Sequence, residues 1–363
     1  MKKLLAFALV AVMVLSLAAC GNSNTSPTAT NAPETKTVEI ALVTDVGNID
    51  DKSFNEGSWN GVKEYGEANS VTYDYYRPFE NTNAARIDSM ETAIENGAKV
   101  IVCPGYLFEE SVLEMQDKYP EVMFLVLDLS LGDNTKSNTN CVLYQEEQAG
   151  FFAGYAAVMD GYRNLGFLGG MDVPAVIRYG FGFVQGADAA SVELGLAKDE
   201  VSIKYWYGGT FGPDDDVKTK MDGWYSDGTE VVFACGGGIY LSALAAAEAV
   251  DGKLIGVDVD QAYVSPLIIT SAMKELTGSV VQALTSLYAN EGKWDDAHAG
   301  KTTLLGAGSD GVGLPTAADS WRFETYTVAD YEALFADVVS GAVAISDAID
   351  ANPTVTNIAV DYQ

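Results

Sequence analysis

Short apolar runs alternate along the chain with longer stretches in which apolar residues recur at helical spacing. Most of the runs are continuous, which is typical of parallel strands covered on both faces. The runs predicted as strands are 38–44, 100–104, 123–128, 165–169, 203–207, 230–234 and 254–258. The stretches predicted as helices are 54–67, 84–96, 109–118, 146–160, 176–194, 242–250 and 271–289. Repeated strand–helix units predict an α/β fold with right-handed crossovers.

This strand–helix pattern runs twice, with a join at 141–147. The chain from Thr37 onward is longer than the ~250–300 residues at which single cores usually divide, so we expect two lobes. The first lobe is predicted to contain 37–145 plus about 271–300, and the second 146–270 plus about 301–363.

The first 36 residues have the pattern of a targeting segment. Lys2 and Lys3 precede an apolar run, and small residues lead into Cys20. The order predicts a secretory signal peptide over 1–20, because the run is shorter than the ~20 residues of a spanning helix. Cys20 resembles the lipidated cysteine of a bacterial lipobox; an ordinary signal with an incidental cysteine is the alternative. With a flexible tether over 21–36, this layout predicts a lipid-anchored protein on the extracytoplasmic face of the cell membrane.

Charge and cysteine usage exclude some functions. A formal net charge of −30 argues against nucleic acid or anionic lipid as a partner. Besides Cys20, the cysteines are Cys103, Cys141 and Cys235, whose spacing matches no zinc pattern and whose surroundings are apolar. We therefore expect these three cysteines to be small side chains buried in the core. The sequence leaves a Cys103–Cys141 disulfide open.

Polar residues and glycines stand where several predicted strands end. They are Asp45, Gly105, Asp128, the glycines 236–238 and Asp258. Open parallel sheets bind ligands outside the carboxyl ends of their strands. Two such lobes facing each other form a cleft that closes around a ligand. The sequence therefore predicts a binding cleft between the lobes.

Motifs of common enzymes do not occur in the sequence. The single histidine, His298, lies in a polar segment with no nucleophile nearby in sequence, and there is no G-x-S-x-G, H-E-x-x-H or P-loop motif. Residues 306–311 match G-x-G-x-x-G, but no helix follows, so we interpret them as a glycine-rich hairpin. The acidic groups 50–51 and 214–216 lack a calcium-loop pattern, and 214–216 suit a helix start. We expect no enzyme, cofactor or metal.

Residues 44–55 (TDVGNIDDKSFN) resemble the signature of the basic membrane protein family, lipoproteins of the purine-nucleoside-receptor type that serve ABC transporters. The likeness continues through 104–106, 125–128, 145–155, 166–172, 256–261 and 270–274. The resemblance implies a type I periplasmic-binding-protein fold, in which two Rossmann-like lobes are joined by hinge strands. It also implies a solute-binding protein that captures nucleosides, mostly purine, for an ABC permease in the membrane; we expect a monomer.

Two aromatic residues match the family's stacking positions. Phe54, at the start of the first helix, matches the stacking phenylalanine, and Phe211 resembles the opposing one. The rivals of Phe211 are Trp206, Tyr207 and Phe233. Gly237 matches a position where the backbone approaches the ribose. Rings above and below a base contribute ~1–3 kcal/mol per base.

Polar residues at the matching positions suit a nucleoside's edges. Asn55 is expected to give and accept at a base edge, and Asp45 to contact the base or support Asn55. Asp128 holds the matching place at the end of the predicted strand 123–128. Asp258, or its neighbour Asp260, suits a ribose-hydroxyl acceptor, and Lys274 suits a donor to a ligand oxygen. The remaining candidate, Arg178, is interpreted as structural.

Two alternatives remain open. A receptor of the same fold for a sugar or a signalling molecule would also use aromatic faces and carboxylates. A nucleoside hydrolase or phosphorylase would use Asp45, Asp50 or Asp128, because carboxylates alone support such chemistry.

Overall fold

Two mainly parallel sheets organise residues 37–363, the part of the chain that the computed structural model describes. The predictions for the signal peptide, the lipidated Cys20 and the tether lie outside the described residues. The first sheet contains β1 (Ile40–Val43), β2 (Tyr73–Tyr76), β3 (Val100–Pro104), β4 (Met123–Leu127), β5 (Thr139–Tyr144) and β11 (Lys301–Leu305). Its spatial order is β11-β5-β4-β3-β1-β2, and all its pairings are parallel.

The second sheet contains β6 (Asn164–Gly169), β7 (Ser202–Tyr207), β8 (Val231–Cys235), β9 (Lys253–Asp258), β10 (Ile268–Lys274), β12 (Val312–Gly313) and β13 (Ala359–Tyr362). Its order is β12-β10-β9-β8-β6-β7-β13, with β12 antiparallel. In each sheet the first strand along the chain lies between the next two, so the strand order reverses there. This confirms the predicted α/β fold with two parallel-sheet lobes.

Nine helices of the described chain cover the sheets. They are α1 (Phe54–Asn69), α2 (Asn83–Glu95), α3 (Glu109–Lys118), α4 (Glu146–Met159), α5 (Pro174–Glu193), α6 (Asp215–Ser226), α7 (Tyr240–Ala247), α8 (Leu276–Ala289) and α9 (Val328–Ser340). Asp214 caps α6 by accepting from the N–H groups of Asp216 and Val217, as the acidic run predicted. Between residues 37 and 363, no helix has the length and apolarity required to cross a membrane.

The predicted helix 271–289 is wrong over its first residues. Ile268–Lys274 forms β10, which pairs in parallel with β9, and the helix begins only at Leu276. The segment is buried on almost every residue, so its apolar residues do not recur at the spacing of a helix face. A short buried strand and a buried helical turn cannot be distinguished from such a run.

The expected division of the C-terminal part differs from the observed sheets. Lys301–Leu305 pairs with β5 in the first sheet, although we expected it in the second lobe. Residues 271–274 belong to the second sheet, although we expected them in the first lobe. The chain crosses between the sheets three times, after β5, β10 and β11, and strand spacing does not encode which sheet a strand joins.

The register of the first sheet rules out a disulfide between Cys103 and Cys141. Cys103 on β3 pairs with Val126 on β4, and Val126 pairs with Cys141 on β5. Two strand spacings of ~4.8 Å place the Cα atoms about 9.6 Å apart, beyond the ~7 Å that a disulfide spans. Both thiols are free and buried, as is that of Cys235.

Helices α4 and α5 pack backbone against backbone. Gly150 and Gly154 on α4 face Gly182 and Gly186 on α5. A Cβ atom at Gly182 would lie 2.0 Å from the carbonyl oxygen of Glu147, and one at Gly150 would lie 2.0 Å from that of Tyr179. Only hydrogen fits at these positions. The contact fixes the first turn of α4 against the middle of α5.

Candidate functional site

A cavity with about 630 Å³ of empty space, part of it open to solvent, lies at the carboxyl ends of the strands of both sheets. The cavity is lined by all eight predicted binding residues: Asp45, Phe54, Asn55, Asp128, Phe211, Gly237, Asp258 and Lys274. The structure therefore brings the predicted set together in one place.

The fold places several of these residues at the carboxyl ends of strands, at or beside the point where strand order reverses. Asp45 follows β1 and Gly105 follows β3, the two neighbours at the reversal point of the first sheet. Asp128 directly follows β4 and Asp258 is the last residue of β9, with φ angles of 59° and 67°. Aspartate tolerates this left-handed backbone better than most residues. The sharp turn at each strand end holds both carboxylates at the cavity wall.

Phe54 and Phe211 reach the cavity from opposite lobes. Phe54 begins α1, and its ring centroid lies 4.6 Å from Lys274 Nζ. Phe211 packs on the backbone after β6 and β8: a Cβ at Gly170 or Gly236 would lie 2.4 or 3.0 Å from its ring. None of its three rivals lines the cavity. Phe233 is fully buried in the core, Trp206 lies under Lys220, and the hydroxyl of Tyr207 bonds that of Tyr205.

Asn55 can only accept a hydrogen bond from a ligand. Its Nδ2 donates to Asp45 Oδ1 at 2.9 Å and to Asp51 Oδ2 at 3.0 Å, while its Oδ1 is buried without a partner among the described residues. Turning the amide over would place its oxygen against two carboxylates. The expectation that Asn55 both gives and accepts is therefore wrong on the donor side. Of the two roles predicted for Asp45, the contact supports the second, which is to hold Asn55.

Asp51 organises the start of α1, a role that the sequence did not reveal. Its carboxylate accepts from the backbone N–H groups of Ser53, Asn55 and Glu56 at 2.9–3.0 Å. Burial raises the pKa of Asp51 to about 6, although these hydrogen bonds oppose the shift. Because Asp51 also accepts from Asn55 Nδ2, it fixes the orientation of the amide whose oxygen is left without a partner among the described residues.

Lys274 is the centre of a buried ion cluster. Its Nζ lies 2.5 Å from Asp128 Oδ2, 3.5 Å from Glu146 Oε1 and 3.6 Å from Asp258 Oδ1. These carboxylates come from the first sheet, the start of α4 and the second sheet, so one ammonium group connects both sheets and α4. We expected Lys274 to donate to a ligand oxygen; the structure adds ion-pair contacts with three carboxylates.

Two residues behind Lys274 complete the cluster. Arg178 on α5, interpreted from the sequence as structural, donates from Nε to Glu146 Oε2 at 2.6 Å. Glu146 is fully buried, and sequence reasoning did not select it from the helical segment that it begins. Burial lowers the pKa of Lys274, but the attraction of Asp128, Glu146 and Asp258 outweighs it, so the pKa lies above its ordinary value.

The cavity and its surroundings hold carboxyl groups that burial makes harder to ionise. Burial raises the pKa of Glu147 to about 7, and it raises the pKa values of Asp45, Asp128 and Asp258 above their ordinary range. Lys274 opposes the shift at Asp128 and Asp258. These groups bind protons more tightly in the folded chain than in the unfolded chain.

This proton binding predicts that stability rises as the pH falls from 8 to about 5. With folded pKa values above the unfolded ones, the folded state takes up protons first on acidification. A tenfold gain in proton affinity at one group corresponds to ~1.4 kcal/mol, so we expect the free energy of unfolding to rise by at least that amount. Urea unfolding across this pH range measures it.

Glu147→Gln provides the control for this pH profile. The variant should exceed the wild type in stability at pH 8 and depend less on pH, because it removes one of the shifted carboxyls. A wild-type profile that is flat, or that falls toward pH 5, contradicts the prediction.

His298 does not form a catalytic relay. Ser286 Oγ lies 3.3 Å from His298 Nδ1, a nucleophile near in space that the sequence did not indicate, and Asp295 Oδ1 lies 2.7 Å from the same nitrogen. A Ser-His-Asp relay needs the two partners on opposite nitrogens. The group also lies outside the cavity. Over residues 37–363, no cluster of three His, Cys, Asp or Glu side chains is placed to hold a metal ion.

Residues 38–333 match the family described as Bmp, ABC transporter substrate-binding protein PnrA-like. The chain belongs to this family. The match confirms the resemblance found in the sequence, and the family is one of substrate-binding proteins rather than enzymes.

Curated relatives of this Bmp-family chain match it over most of its length. It is 26% identical to the ABC transporter nucleoside-binding protein BmpA of Lactococcus lactis, over 86% of this chain and 90% of the relative. It is also 26% identical to basic membrane protein B of Borreliella burgdorferi, with 78% and 82% covered.

Solved structures similar to this family member are type I periplasmic-binding-protein folds. An ABC-transporter solute-binding protein from Aeropyrum pernix gives a TM-score of 0.73 at 21% identity, with 86% of this chain and 94% of that one covered. One from Conexibacter woesei gives 0.67 at 20% identity, with 85% and 99% covered. The predicted fold is therefore confirmed.

Proposed function

We propose that the protein is the lipid-anchored substrate-binding component of an ABC importer and that it captures nucleosides, with purine nucleosides preferred. One observation carries this proposal. Phe54 and Phe211, from opposite lobes, line the same cavity as an acceptor-rich set of polar groups. The nucleoside-binding relative from Lactococcus lactis supports the same ligand class.

The cavity chemistry suits the parts of a nucleoside. A base has two π faces, and stacking on an aromatic side chain contributes ~1–3 kcal/mol per base. Asn55 Oδ1 accepts from an N–H group at the base edge. Asp128 and Asp258 accept from ribose hydroxyls, since charge-assisted hydrogen bonds are strong in a cavity with few competing waters. Gly237, with a φ of 53°, presents backbone without a side chain.

The partner and location follow from the family and the N-terminal pattern. A substrate-binding protein of an ABC transporter delivers its ligand to a permease in the membrane. Lipidation at Cys20 would hold the binding domain at the extracytoplasmic face, with 21–36 as tether, and the chain would act as a monomer.

Phe54→Ala should weaken nucleoside binding about 10- to 100-fold, because one stacking surface is lost. Isothermal titration calorimetry with guanosine measures the change. Phe79→Ala is the matched control, since Phe79 is 78% exposed and does not line the cavity. Unchanged affinity in Phe54→Ala would remove this ring from the site.

The ligand class itself is tested by titrating the wild type with guanosine, inosine, adenosine, pyrimidine nucleosides and free sugars. Binding of purine nucleosides without release of free base, followed by chromatography, supports the proposal. Binding of sugars alone identifies a sugar receptor of the same fold, and release of base identifies a hydrolase or phosphorylase. Mass spectrometry of ligand released from denatured protein gives an independent identification.

A further inference from the structure

Tyr179 places a buried hydroxyl group at the cavity without a hydrogen-bond partner. The residue lies on α5, lines the cavity, and is 1% exposed. Its Oη has no partner among the described side chains and backbone. A buried polar group in this state is unusual and calls for an explanation. Neither the sequence motifs nor the ion cluster accounts for it.

The ring of Tyr179 is held in place by its neighbours. Phe233 contacts it edge-to-face, with ring centroids 5.9 Å apart and planes at 88°. Lys274 Nζ lies 5.4 Å from the ring centroid. The backbone of Tyr179 lies at the close contact with Gly150. The hydroxyl therefore has a defined position.

The surroundings of the hydroxyl define its role as a donor. Burial raises the pKa of Tyr179 well above its ordinary value, and the nearby carboxylates of Asp258, Glu146 and Asp128 raise it further. The hydroxyl keeps its proton. Tyr179 and Asp128 both line the cavity and both contact Lys274, and Asp128 Oδ1 is also buried without a partner among the described residues. This part of the cavity, the carboxylate end, thus offers a ligand one donor and one acceptor.

A sugar hydroxyl satisfies both groups at once. An N–H group of a base only donates, and a ring nitrogen or carbonyl oxygen of a base only accepts, whereas a hydroxyl group does both. Asn55, which only accepts, is supported by Asp45 and Asp51, a set distinct from the cluster around Lys274. This separation assigns the base edge to Asn55 and the sugar to the carboxylate end.

Resting on the proposed function, we propose that the Tyr179 hydroxyl donates to a ribose hydroxyl that in turn donates to Asp128. Tyr179 is then a specificity-determining residue that selects ribonucleosides over deoxynucleosides. The discrimination depends on the hydroxyl and not on the ring. Phenylalanine at this position therefore keeps the packing of the ring but no longer distinguishes ribonucleosides from deoxynucleosides.

The test compares guanosine, 2′-deoxyguanosine and 3′-deoxyguanosine by calorimetry on wild type, Tyr179→Phe and Tyr326→Phe. We expect Tyr179→Phe to bind guanosine about tenfold more weakly, the effect of one buried hydrogen bond. One of the two deoxy analogues should bind the wild type more weakly than guanosine does, by a similar factor. Tyr179→Phe should bind that analogue as tightly as the wild type does, because the hydroxyl that Tyr179 contacts is already missing. Tyr326→Phe removes another buried hydroxyl without a partner, outside the cavity, and should bind guanosine like the wild type.

Three results would overturn the inference. The first is equal guanosine affinity in Tyr179→Phe and wild type. The second is an equal loss by Tyr179→Phe for guanosine and both deoxy analogues, which would place the hydroxyl away from the sugar. The third, measured on the wild type alone, is equal affinity for all three ligands. If the wild type bound no nucleoside, the proposed function itself would fail, and this inference with it.

Discussion

Lys274→Met should lower the free energy of unfolding by about 3–5 kcal/mol at pH 8, because it leaves the buried carboxylates of Asp128 and Asp258 without their cation, while Glu146 keeps Arg178. Methionine keeps the length and apolar stem of the lysine, so the loss reports the charge rather than a cavity. Asp128 and Asp258 are then left close together without the ammonium between them. Nucleoside binding should fall below detection, since both carboxylates belong to the cavity wall.

The pH dependence of the loss identifies its cause. Lys274 lowers the pKa values of Asp128 and Asp258 against the effect of burial. Without it, both carboxyls bind protons at a higher pH in the folded variant than in the wild type, and protonation removes their repulsion. The difference in stability between variant and wild type should therefore narrow from pH 8 to pH 5, as measured by urea unfolding at both values.

Lys253→Met is the matched control for Lys274→Met. Lys253 lies 3.3 Å from Asp251, but its side chain is 30% exposed and that of Asp251 is 84% exposed. An ion pair in contact with water contributes ~1 kcal/mol or less. A stability of Lys274→Met within that range of the wild type, or a loss that does not depend on pH, would contradict the role assigned to Lys274.

The residues that line the cavity could be predicted because the geometry of parallel sheets is simple. All strands of a parallel sheet end at one edge, so polar residues that follow apolar runs meet there. Asp45, Asp128 and Asp258 follow three such runs, and the structure brings them to one cavity. The resemblance supplied Phe54 and Phe211, which no strand-end rule would have selected.

Residues whose role depends on a partner in space could not be predicted. Glu146 and Tyr179 lie within helical patterns, and only the packing of α4 on α5 and of β10 beside them brings both to Lys274. The donor capacity of Asn55 is consumed by Asp45 and Asp51, which again is a property of the folded chain. The place of Glu146 in the family-like segment 145–155 was the one signal that the sequence offered.

The assignment of strands to sheets failed for a related reason. The chain returns to the first sheet with β11 after completing most of the second. Strand β11 is largely exposed and polar, so it lacks the apolar run that marks the central strands. The fully buried strands β1, β3, β4 and β8 were all predicted.

Gly182→Ala should lower the free energy of unfolding by about 2–4 kcal/mol, whereas this substitution within a helix usually raises it. In the interior of a helix, Gly→Ala normally stabilises by ~0.5–1 kcal/mol, because alanine restricts the unfolded chain. At Gly182 the new methyl group would lie 2.0 Å from the carbonyl oxygen of Glu147, and backbone cannot rotate away as a side chain would. Helices α4 and α5 must therefore separate.

That separation reaches the cavity, since α4 begins with Glu146 and α5 carries Arg178 and Tyr179. The distance of 2.6 Å between Arg178 Nε and Glu146 Oε2 must lengthen, so guanosine affinity should fall together with stability. Urea unfolding and calorimetry on the same preparation measure both. Gly223→Ala on α6 is the control: nothing lies within 4 Å of its Cβ position, and it should gain the usual ~0.5–1 kcal/mol with affinity unchanged. If both variants gained stability alike, the backbone contact between α4 and α5 would not be a determinant of the fold.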